Sequence, residues 1–284
     1  MLKVTLLGTG NPRPLLDRFG PSILIEADEE VLLFDVGRGA TQRLFQHGVA
    51  LAGTREVFLT HLHSDHVVGL PDLWLTGWIF QRTQPLRVRG PPGTRDLVEH
   101  LTRAFAFDVH VRRDLDERLP PMGAEMVGED IPPGVVHQGP AARVTAFEVD
   151  HGPVKPAYGY RIDCGGRSVV LSGDTRPSDN LVRHSRGADL LIHEVAAMTG
   201  EHLESSPIAS QVLAHHTSPE AAGEIFSRVQ PRLAVYSHIV LLGGLTADDL
   251  VTGTRKTYAG PLEVGRDGMA ITVGDLVAVS PPSP

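Results

Sequence analysis

The sequence predicts an α/β fold in which β-sheets are covered by helices. Short apolar stretches that suit strands alternate with stretches that suit helices, in two successive groups along the chain. The chain has 284 residues, 41% of them hydrophobic, which is enough to bury a sizeable core. Neither a linker nor an internal repeat is visible, so we expect a single domain over residues 1–284.

The first group combines predicted strands and helices. The strands are apolar and end at Gly, Asp or polar residues, and we place them at residues 3–7, 22–26, 31–34, 55–59 and 86–89. The helices are placed at residues 41–47, 71–81 and 94–105. Residues 108–142 are rich in Pro, Gly and charge and show no clear period. We expect them to form strands and loops that cover the mouth of a site.

The second group continues the alternation to near the end of the chain. Its strands are predicted at residues 142–149, 158–163, 168–171, 190–192, 233–236 and 269–273. The second and third of these form a hairpin around Cys164-Gly165-Gly166. Ser218 and Pro219 open a helix, because Ser is a favoured N-cap residue and Pro fits the first helical position.

Composition excludes several classes of protein. The net charge of −8 argues against a broad nucleic-acid-binding surface, which needs clustered Lys and Arg. Cys164 is the only cysteine, so the chain has no internal disulfide and no thiolate metal cluster. The N-terminus lacks the pattern of a signal peptide, and no stretch is long enough for a transmembrane helix. We expect a cytoplasmic protein that does not bind membranes.

One short segment carries the strongest chemical signal. After the strand at residues 55–59, the run Thr60-His61-Leu62-His63-Ser64-Asp65-His66 places four potential metal ligands within six residues. A strand would point alternate side chains to opposite faces, whereas a loop or helix N-terminus can turn all four inward. Imidazole nitrogens with a carboxylate are the donors that Zn²⁺ favours, with Fe, Mn or Co as substitutes. A metal site explains this spacing better than a polar turn that contains three histidines by chance.

Two neighbouring features have competing interpretations. Gly8-Thr9-Gly10 lacks the third glycine of a dinucleotide-binding turn, and Pro12 and Pro14 prevent an immediate helix, so we reject that interpretation. Asp35 follows the strand at residues 31–34. It either caps the turn before the next helix or holds a ligand histidine from behind, and the sequence does not separate these two roles.

Metal-type donors follow several further strands. His151, Asp174, His193-Glu194 and His238 each come directly after an apolar stretch. Because the carboxyl ends of parallel strands share one edge of a sheet, we expect these side chains to meet the histidine segment there. A single histidine at a strand end is more often a solvated or capping residue. Counting the strand before the histidine segment, however, five strand ends carry such donors, and together they indicate a shared site.

The motif His61-x-His63-x-Asp65-His66 resembles the signature of the metallo-β-lactamase superfamily, and the strand-end donors continue the resemblance over nearly the whole chain. This resemblance implies an αββα four-layer sandwich and two divalent metal ions, Zn²⁺ in the first place, with Mn²⁺ or Fe as alternatives. It implies that the first metal is held by His61, His63 and His151, the second by Asp65, His66 and His238, and that Asp174 bridges both. In this resemblance, the histidine at position 63 favours a zinc-type hydrolase, because the di-iron redox branch of the superfamily typically has Glu at that position.

Finer motifs resemble the ribonuclease Z and arylsulfatase-like branch of the superfamily. They are Gly8-Thr9-Gly10, residues 66–71, Gly90-Pro91, Ser172-Gly173-Asp174-Thr175 and residues 216–222. By this resemblance, His216 and Glu194 form a catalytic dyad beside the metals that handles a proton or stabilises an oxyanion. Asp65 would orient the nucleophile as well as bind metal. His215 competes with His216 on sequence alone, but the match downstream of His216 favours His216.

The resemblance implies hydrolysis of a small anionic ester, either an aryl sulfate or a phosphodiester, by a metal-bound hydroxide. Ribonuclease Z enzymes that clamp tRNA carry a long Gly- and Lys-rich arm between the strands that here contain Tyr160 and Ser168. Only a short hairpin separates those strands in this chain, and residues 108–142 are net acidic. We therefore expect a small-molecule substrate rather than nucleic acid.

Three alternatives stay open: a tRNA 3′-processing endonuclease, a lactonase or other carboxylic-ester hydrolase, and a non-catalytic assembly protein. The branch also implies a homodimer. We expect substrate choice to depend on the surroundings of Phe19, Trp74 and Trp78 and on residues 108–142. The two tryptophans, four residues apart on a predicted helix, suit core packing at least as well.

Overall fold

The structure, a computed structural model, describes residues 2–280 and contains two β-sheets. The first sheet consists of β1 (Leu2–Gly8), β2 (Ser22–Ala27), β3 (Glu30–Phe34), β4 (Glu56–Phe58), β5 (Leu86–Gly90), β6 (Met126–Asp130), β14 (Ala270–Val273) and β15 (Val277–Ser280). Their order across the sheet is β15-β14-β1-β2-β3-β4-β5-β6. Strands β3 to β6 run parallel, so their carboxyl ends lie at one edge.

The second sheet consists of β7 (Gly134–Gln138), β8 (Ala142–His151), β9 (Val154–Cys164), β10 (Arg167–Leu171), β11 (Leu190–Met198), β12 (Leu233–Leu242) and β13 (Leu262–Val264). Their order is β13-β12-β11-β10-β9-β8-β7. Strands β10 to β13 are parallel, whereas β7 to β10 form antiparallel hairpins. Each sheet therefore joins a parallel half to an antiparallel half.

The helices connect the strands and cover the outer faces of the sheets. They are α1 (Ala40–Gln46), α2 (Ser64–Val67), α3 (Leu70–Ile79), α4 (Thr94–Ala104), α5 (Ala106–His110), α6 (Asp179–Ser185), α7 (Gly200–Ser205), α8 (Pro207–Leu213), α9 (Pro219–Val229) and α10 (Ala247–Thr254). A π-helical turn (Val111–Leu115) and a 3₁₀ turn (Pro121–Ala124) follow α5. Within the described residues, none of the helices has the length and apolarity needed to cross a membrane.

Three apolar clusters hold four layers together. One fills the space between the sheets and includes Val4, Phe34 and Val235. A second lies between the first sheet and helices α1, α3 and α4, and a third lies between the second sheet and helices α6, α9 and α10. Burial of these side chains supplies the main favourable free energy of folding. The arrangement confirms the α/β class and the αββα four-layer sandwich expected from the sequence.

Tyr160 joins the two sheets directly beneath the predicted site. Its ring, carried by β9, lies 5.2 Å from the ring of Phe34 and 5.9 Å from that of Phe58, both in the first sheet. Its hydroxyl donates a hydrogen bond of 2.7 Å to the carbonyl oxygen of Leu59. The inter-sheet core therefore fixes the chain immediately before the histidine segment.

Most predicted elements are present with shifted ends. The α9 prediction is confirmed in detail, since Ser218 is the N-cap residue, its Oγ accepts a hydrogen bond from the backbone N–H of Ala221, and Pro219 occupies the first position. Trp74 and Trp78 are fully buried, and they donate their indole N–H groups to the carbonyl oxygens of Ala124 and Pro120. Their role is core packing, not pocket lining.

Strands β11 and β12 run farther than the sequence predicted. They remain paired through Met198 and Leu242, so His193-Glu194 and His238 lie inside strands instead of directly after them. A register shift between Glu194 and Val195 and a positive φ of 43° at His238 mark the place where the predicted strands ended. The irregular backbone places Glu194 and His238 at the site while the pairing continues.

Candidate metal centre

The histidine segment folds as the start of a helix. The chain leaves β4 through Thr60 and His61, and α2 begins after His63, its N-cap residue. Asp65 and His66 therefore lie in the first helical turn and are both buried. This local fold turns the donors to one side, as we expected of a loop or helix N-terminus.

Asp35 holds the segment from behind. Its Oδ1 accepts a hydrogen bond of 2.8 Å from the backbone N–H of Thr60, and its Oδ2 lies 2.8 Å from Nδ1 of His66. Helix α1 instead has Gly39 at its N-cap position, without a side-chain cap. Of the two roles that the sequence left open, the geometry supports orientation of His66. The contact leaves Nε2 of His66 facing the centre.

The second sheet supplies the remaining donors. His151 ends β8, Asp174 follows β10, and His238 lies in β12. The turn before Asp174 needs glycine, because φ of Gly173 is +60° and a Cβ there would lie 2.4 Å from the carbonyl oxygen of Tyr158.

Asp174 lies between the donors of both sheets. Its Oδ2 is 3.8 Å from Nε2 of His61 and 3.4 Å from Nε2 of His66, which come from the first half of the chain. The same oxygen is 3.1 Å from Nε2 of His238 and 3.9 Å from Nε2 of His151. Burial alone would raise the pKa of the Asp174 carboxyl, but positive charge on His238 and His66 holds this pKa well below its ordinary value.

The donor atoms fall into sets of the kind that hold divalent cations. Atoms within 4.8 Å of one another are offered by one set containing His61, His63, His151 and Asp174, and by another containing Asp65, His66 and His238. All except His63 are buried. Nε2 of His66 and Oδ1 of Asp174 are buried without a hydrogen-bond partner in the described residues, which is costly unless a cation satisfies them. The residues therefore fit divalent metal binding.

His216 and Glu194 lie against each other beside the donors. Nδ1 of His216 is 2.9 Å from Oε2 of Glu194, while Oε1 accepts a 2.7 Å hydrogen bond from the backbone N–H of Thr217. The His216 ring stacks on that of His238 with centroids 5.5 Å apart. Burial lowers the pKa of His216, but the charge and hydrogen bond of Glu194, with the charge of Asp174, raise it to about 9. The pair is thus built to keep a proton on the imidazole.

His215 takes a different position from His216. Its carbonyl oxygen lies 3.1 Å from Nδ1 of His151, which orients that ring, and its own ring packs beside Gly152. The contact with Glu194 is made by His216. His193, also named from the sequence, is fully buried, with its ring at 5.7 Å from that of Phe226.

A cavity of about 290 Å³ opens over the donors, and much of its wall was not foreseen. Besides donors and His215 and His216, it is lined by Asn11, Pro12, Arg13, Val212, Val240 and Leu242. None of its lining residues comes from 108–142, so this region forms no part of the cavity wall, and its expected position over the site mouth stays a prediction. That region instead supplies β6 and β7, the outermost strands of the two sheets. Phe19 lies outside this cavity, with its ring 4.4 Å from the Arg43 guanidinium.

A sequence signal existed for part of this wall. Asn11-Pro12-Arg13 follows the end of β1, and the same strand-edge argument that selected the histidines would have selected these residues. Asn11 is fixed there by a hydrogen bond from Nδ2 to the carbonyl oxygen of Ile239. Val212, Val240 and Leu242 carry no such signal, because apolar residues are common in helices and strands.

Comparisons with known proteins agree with this geometry. The profile of the Beta-lactamase superfamily domain matches residues 31–239. A protein of Mycobacterium bovis BCG named ribonuclease Z is 37% identical over 281 residues, which is 94% of this chain and 96% of that protein. A protein of Mycolicibacterium gilvum with the same name is 35% identical over 288 residues, covering 99% of each chain.

Solved structures with the same fold include two of similar size. The metallo-β-lactamase fold protein YhfI of Bacillus subtilis superposes with a TM-score of 0.76 at 22% identity, over 96% of this chain and 99% of that one. The short form of human tRNase Z superposes with a TM-score of 0.71 at 23% identity, over the same shares. Since the profile and the relatives cover most of the chain, it belongs to the metallo-β-lactamase superfamily and is a hydrolase of that superfamily.

Proposed function

We propose that the protein is a metal-dependent endonuclease that hydrolyses a phosphodiester bond in precursor tRNA. The observation that carries the proposal is the similarity to proteins named ribonuclease Z, at 34% to 37% identity over 94% to 99% of the chain. Two sets of metal-type donors that meet at Asp174 support this chemistry. The comparisons favour this function, an alternative in the sequence analysis, over hydrolysis of a small ester.

The short hairpin at residues 164–166 belongs to a chain that matches a protein named ribonuclease Z over 94% of its own length and 96% of that protein. With a net charge of −8, the chain must hold RNA phosphates through local basic side chains. Arg13 lines the cavity over the donors, and Arg38 lines a groove that Arg13 also borders.

In this proposal, different residues of the chain have different roles in hydrolysis. Divalent cations at the two donor sets, which we propose are Zn²⁺ with Mn²⁺ or Fe as alternatives, lower the pKa of water and neutralise charge on the phosphate. Asp65 accepts a hydrogen bond from the attacking water and directs its oxygen to phosphorus, and the proton that the water loses passes to solvent. His216 is held by Glu194 through Nδ1 and donates its other proton, on Nε2, to the departing ester oxygen as the P–O bond breaks.

The test is cleavage of a 3′-extended precursor tRNA by protein whose metal content has been measured. We expect the wild-type chain to release the 3′ extension, and His216→Ala to lose activity by about 10²- to 10⁴-fold while keeping its metal. His100→Ala, an exposed histidine on α4, is the matched control and should retain activity. An intact precursor after incubation with metal-loaded wild type would contradict the proposal.

A small anionic ester is the second candidate substrate. The observation in its favour is the size of the cavity, about 290 Å³, which suits one small ligand. An aryl sulfate and a bis-aryl phosphodiester, offered to the same preparations, separate the two candidates, and a lactone tests the carboxylic-ester alternative. The expected homodimer and the cytoplasmic location stay predictions, and light scattering of the purified chain checks the first of them.

A further inference from the structure

The cavity over the donors has an apolar wall that no catalytic role explains. It is built where β11 and β12 continue past the site, with Val195 paired to Ile239 and Met198 paired to Leu242. The positive φ of His238 and the register shift at Glu194 set which side chains of this extension face inward. The apolar wall therefore depends on the irregular backbone at His238 and Glu194.

Alternation along β12 separates core residues from wall residues. Ile239 and Leu241 pack in the apolar cluster on the helix side of the second sheet. Val240 and Leu242, which point the other way, line the cavity. Val212 of α8 lines the same cavity and is partly buried. These three side chains, here called the apolar wall, line the same cavity as His63, Asp65 and His216.

The two parts of the cavity suit different parts of one ligand. The part of the cavity that is lined by the metal donors suits a phosphate, because the imidazoles and carboxylates there hold cations. The apolar wall offers no hydrogen bond from its side chains, so a charged or strongly hydrated group would lose solvation there without compensation. A flat ring instead binds with a favourable free energy, because binding removes one face of the ring and the apolar wall from water. The cavity volume of about 290 Å³ is near the lower limit for ligand sites and suits one ring-bearing phosphate ester.

We propose that Val212, Val240 and Leu242 form a specificity pocket for a planar ring carried by the ester group next to the scissile phosphate. The proposal rests on the proposed phosphodiester hydrolysis and adds the substrate feature that the same site selects. In RNA the ring is the base of one nucleotide beside the cleaved bond. In a small substrate it is an aryl group. Both present the same chemistry to the wall, namely a flat apolar face.

Binding of three phosphate monoesters to the metal-loaded protein tests this directly by titration calorimetry. The probes are methyl phosphate, phenyl phosphate and uridine 5′-monophosphate. We expect at least one ring-bearing probe to bind about tenfold more tightly than methyl phosphate, which is the scale of discrimination that apolar pockets give. Tighter binding of uridine monophosphate assigns the ring to a nucleobase, and tighter binding of phenyl phosphate alone assigns it to an aryl group.

Two variants test the residues. Val240→Thr keeps the β-branched shape, and Leu242→Ala shortens the wall at its partly buried end. Each should remove most of the ring preference while changing the dissociation constant of methyl phosphate less than twofold. Leu276→Ala, at a leucine that is 79% exposed, is the matched control and should keep the preference. Thermal unfolding of each variant checks that it is folded.

Failure of this inference and failure of the proposed function give different results. Equal affinity of the wild type for all three probes, or equal weakening of all three by Val240→Thr and Leu242→Ala, would overturn the specificity pocket even if precursor tRNA is cleaved. A clear ring preference in a protein that leaves precursor tRNA intact would support the pocket and remove the tRNA proposal.

Discussion

Asp35 shows at the scale of one residue how the chain prepares a donor. It adopts a left-handed backbone conformation with φ of 57°, which a non-glycine residue rarely takes. That conformation directs one carboxylate oxygen to the backbone N–H of Thr60 and the other to Nδ1 of His66. The strain at Asp35 is therefore compensated by contacts that fix the His66 ring with its second nitrogen toward the centre.

Asp35→Asn should weaken metal binding with little change in packing. Asparagine keeps the size of the side chain but loses the charge that fixes the tautomer of His66, so we expect about a 10- to 100-fold loss of metal affinity. Competition with a chromogenic chelator measures it. Asp163→Asn, at a surface ion pair with Arg161, is the matched control and should leave the affinity unchanged. Equal affinities in all three proteins would remove the orienting role from Asp35.

Residue-scale inference from the sequence selected the residues that the structure brings together around Asp174, but it missed the apolar wall of the cavity. His61, His66, His151 and His238 stand out because several apolar stretches of one chain are each followed by a metal-type donor, whereas a single strand-end histidine would not be informative. Val240 does not stand out, because its position in the cavity depends on the positive φ at His238, and the residue types in the sequence do not predict that φ. Resemblance distinguished His216 from His215, and only the three-dimensional contact with Glu194 gave that choice a physical basis.

At the scale of an element, the loop of residues 9–19 depends on one buried carboxylate. Oδ1 of Asp267 accepts hydrogen bonds of 2.9 and 2.8 Å from the backbone N–H and the hydroxyl of Thr9. Its Oδ2 accepts one of 2.7 Å from the backbone N–H of Phe19. The base of the loop is thus closed by Asp267, and the loop then carries Asn11, Pro12 and Arg13 to the cavity.

Asp267→Ala should loosen this loop and destabilise the fold. It leaves buried donors of Thr9 and Phe19 without an acceptor, and we expect a loss of about 3 kcal/mol, a drop of several degrees in the thermal midpoint. The KM should rise more than kcat falls, because the cavity wall is disordered while the donors remain. Asp275→Ala removes a 99% exposed carboxylate from the turn between β14 and β15 and serves as control. An Asp267→Ala protein with unchanged midpoint and KM would contradict this view.

Elements with a buried face were predictable and edge elements were not. Strand β1 is buried along almost its whole length, so its apolar run was clear. Strands β6 and β7 are outermost in their sheets and largely exposed, so their sequences need not alternate, and residues 108–142 showed no period. The ends of β11 and β12 were also missed, because the sequence shows His193-Glu194 and His238 as interruptions whereas backbone pairing continues through a bulge.

At the scale of the whole molecule, the candidate metal centre lies where the two sheets meet. His61, His63, Asp65 and His66 follow β4 of the first sheet, whereas His151, Asp174 and His238 belong to the second. Tyr160 joins the sheets below these donors through its hydrogen bond to Leu59. Each donor set combines residues from both halves of the chain. A cation bound there is therefore a link between the sheets as well as a cofactor.

Removing metal should consequently lower the stability of the entire fold. Because the donor sets exist only when both sheets are assembled, metal at 100 times its dissociation constant stabilises the folded chain by about 2.7 kcal/mol per site. We expect dipicolinate to lower the thermal midpoint by several degrees and added Zn²⁺ to restore it. The double variant His61→Ala, His238→Ala should unfold at the lower temperature with or without chelator. If the wild-type midpoint stays constant while its metal is removed, the centre does not link the sheets.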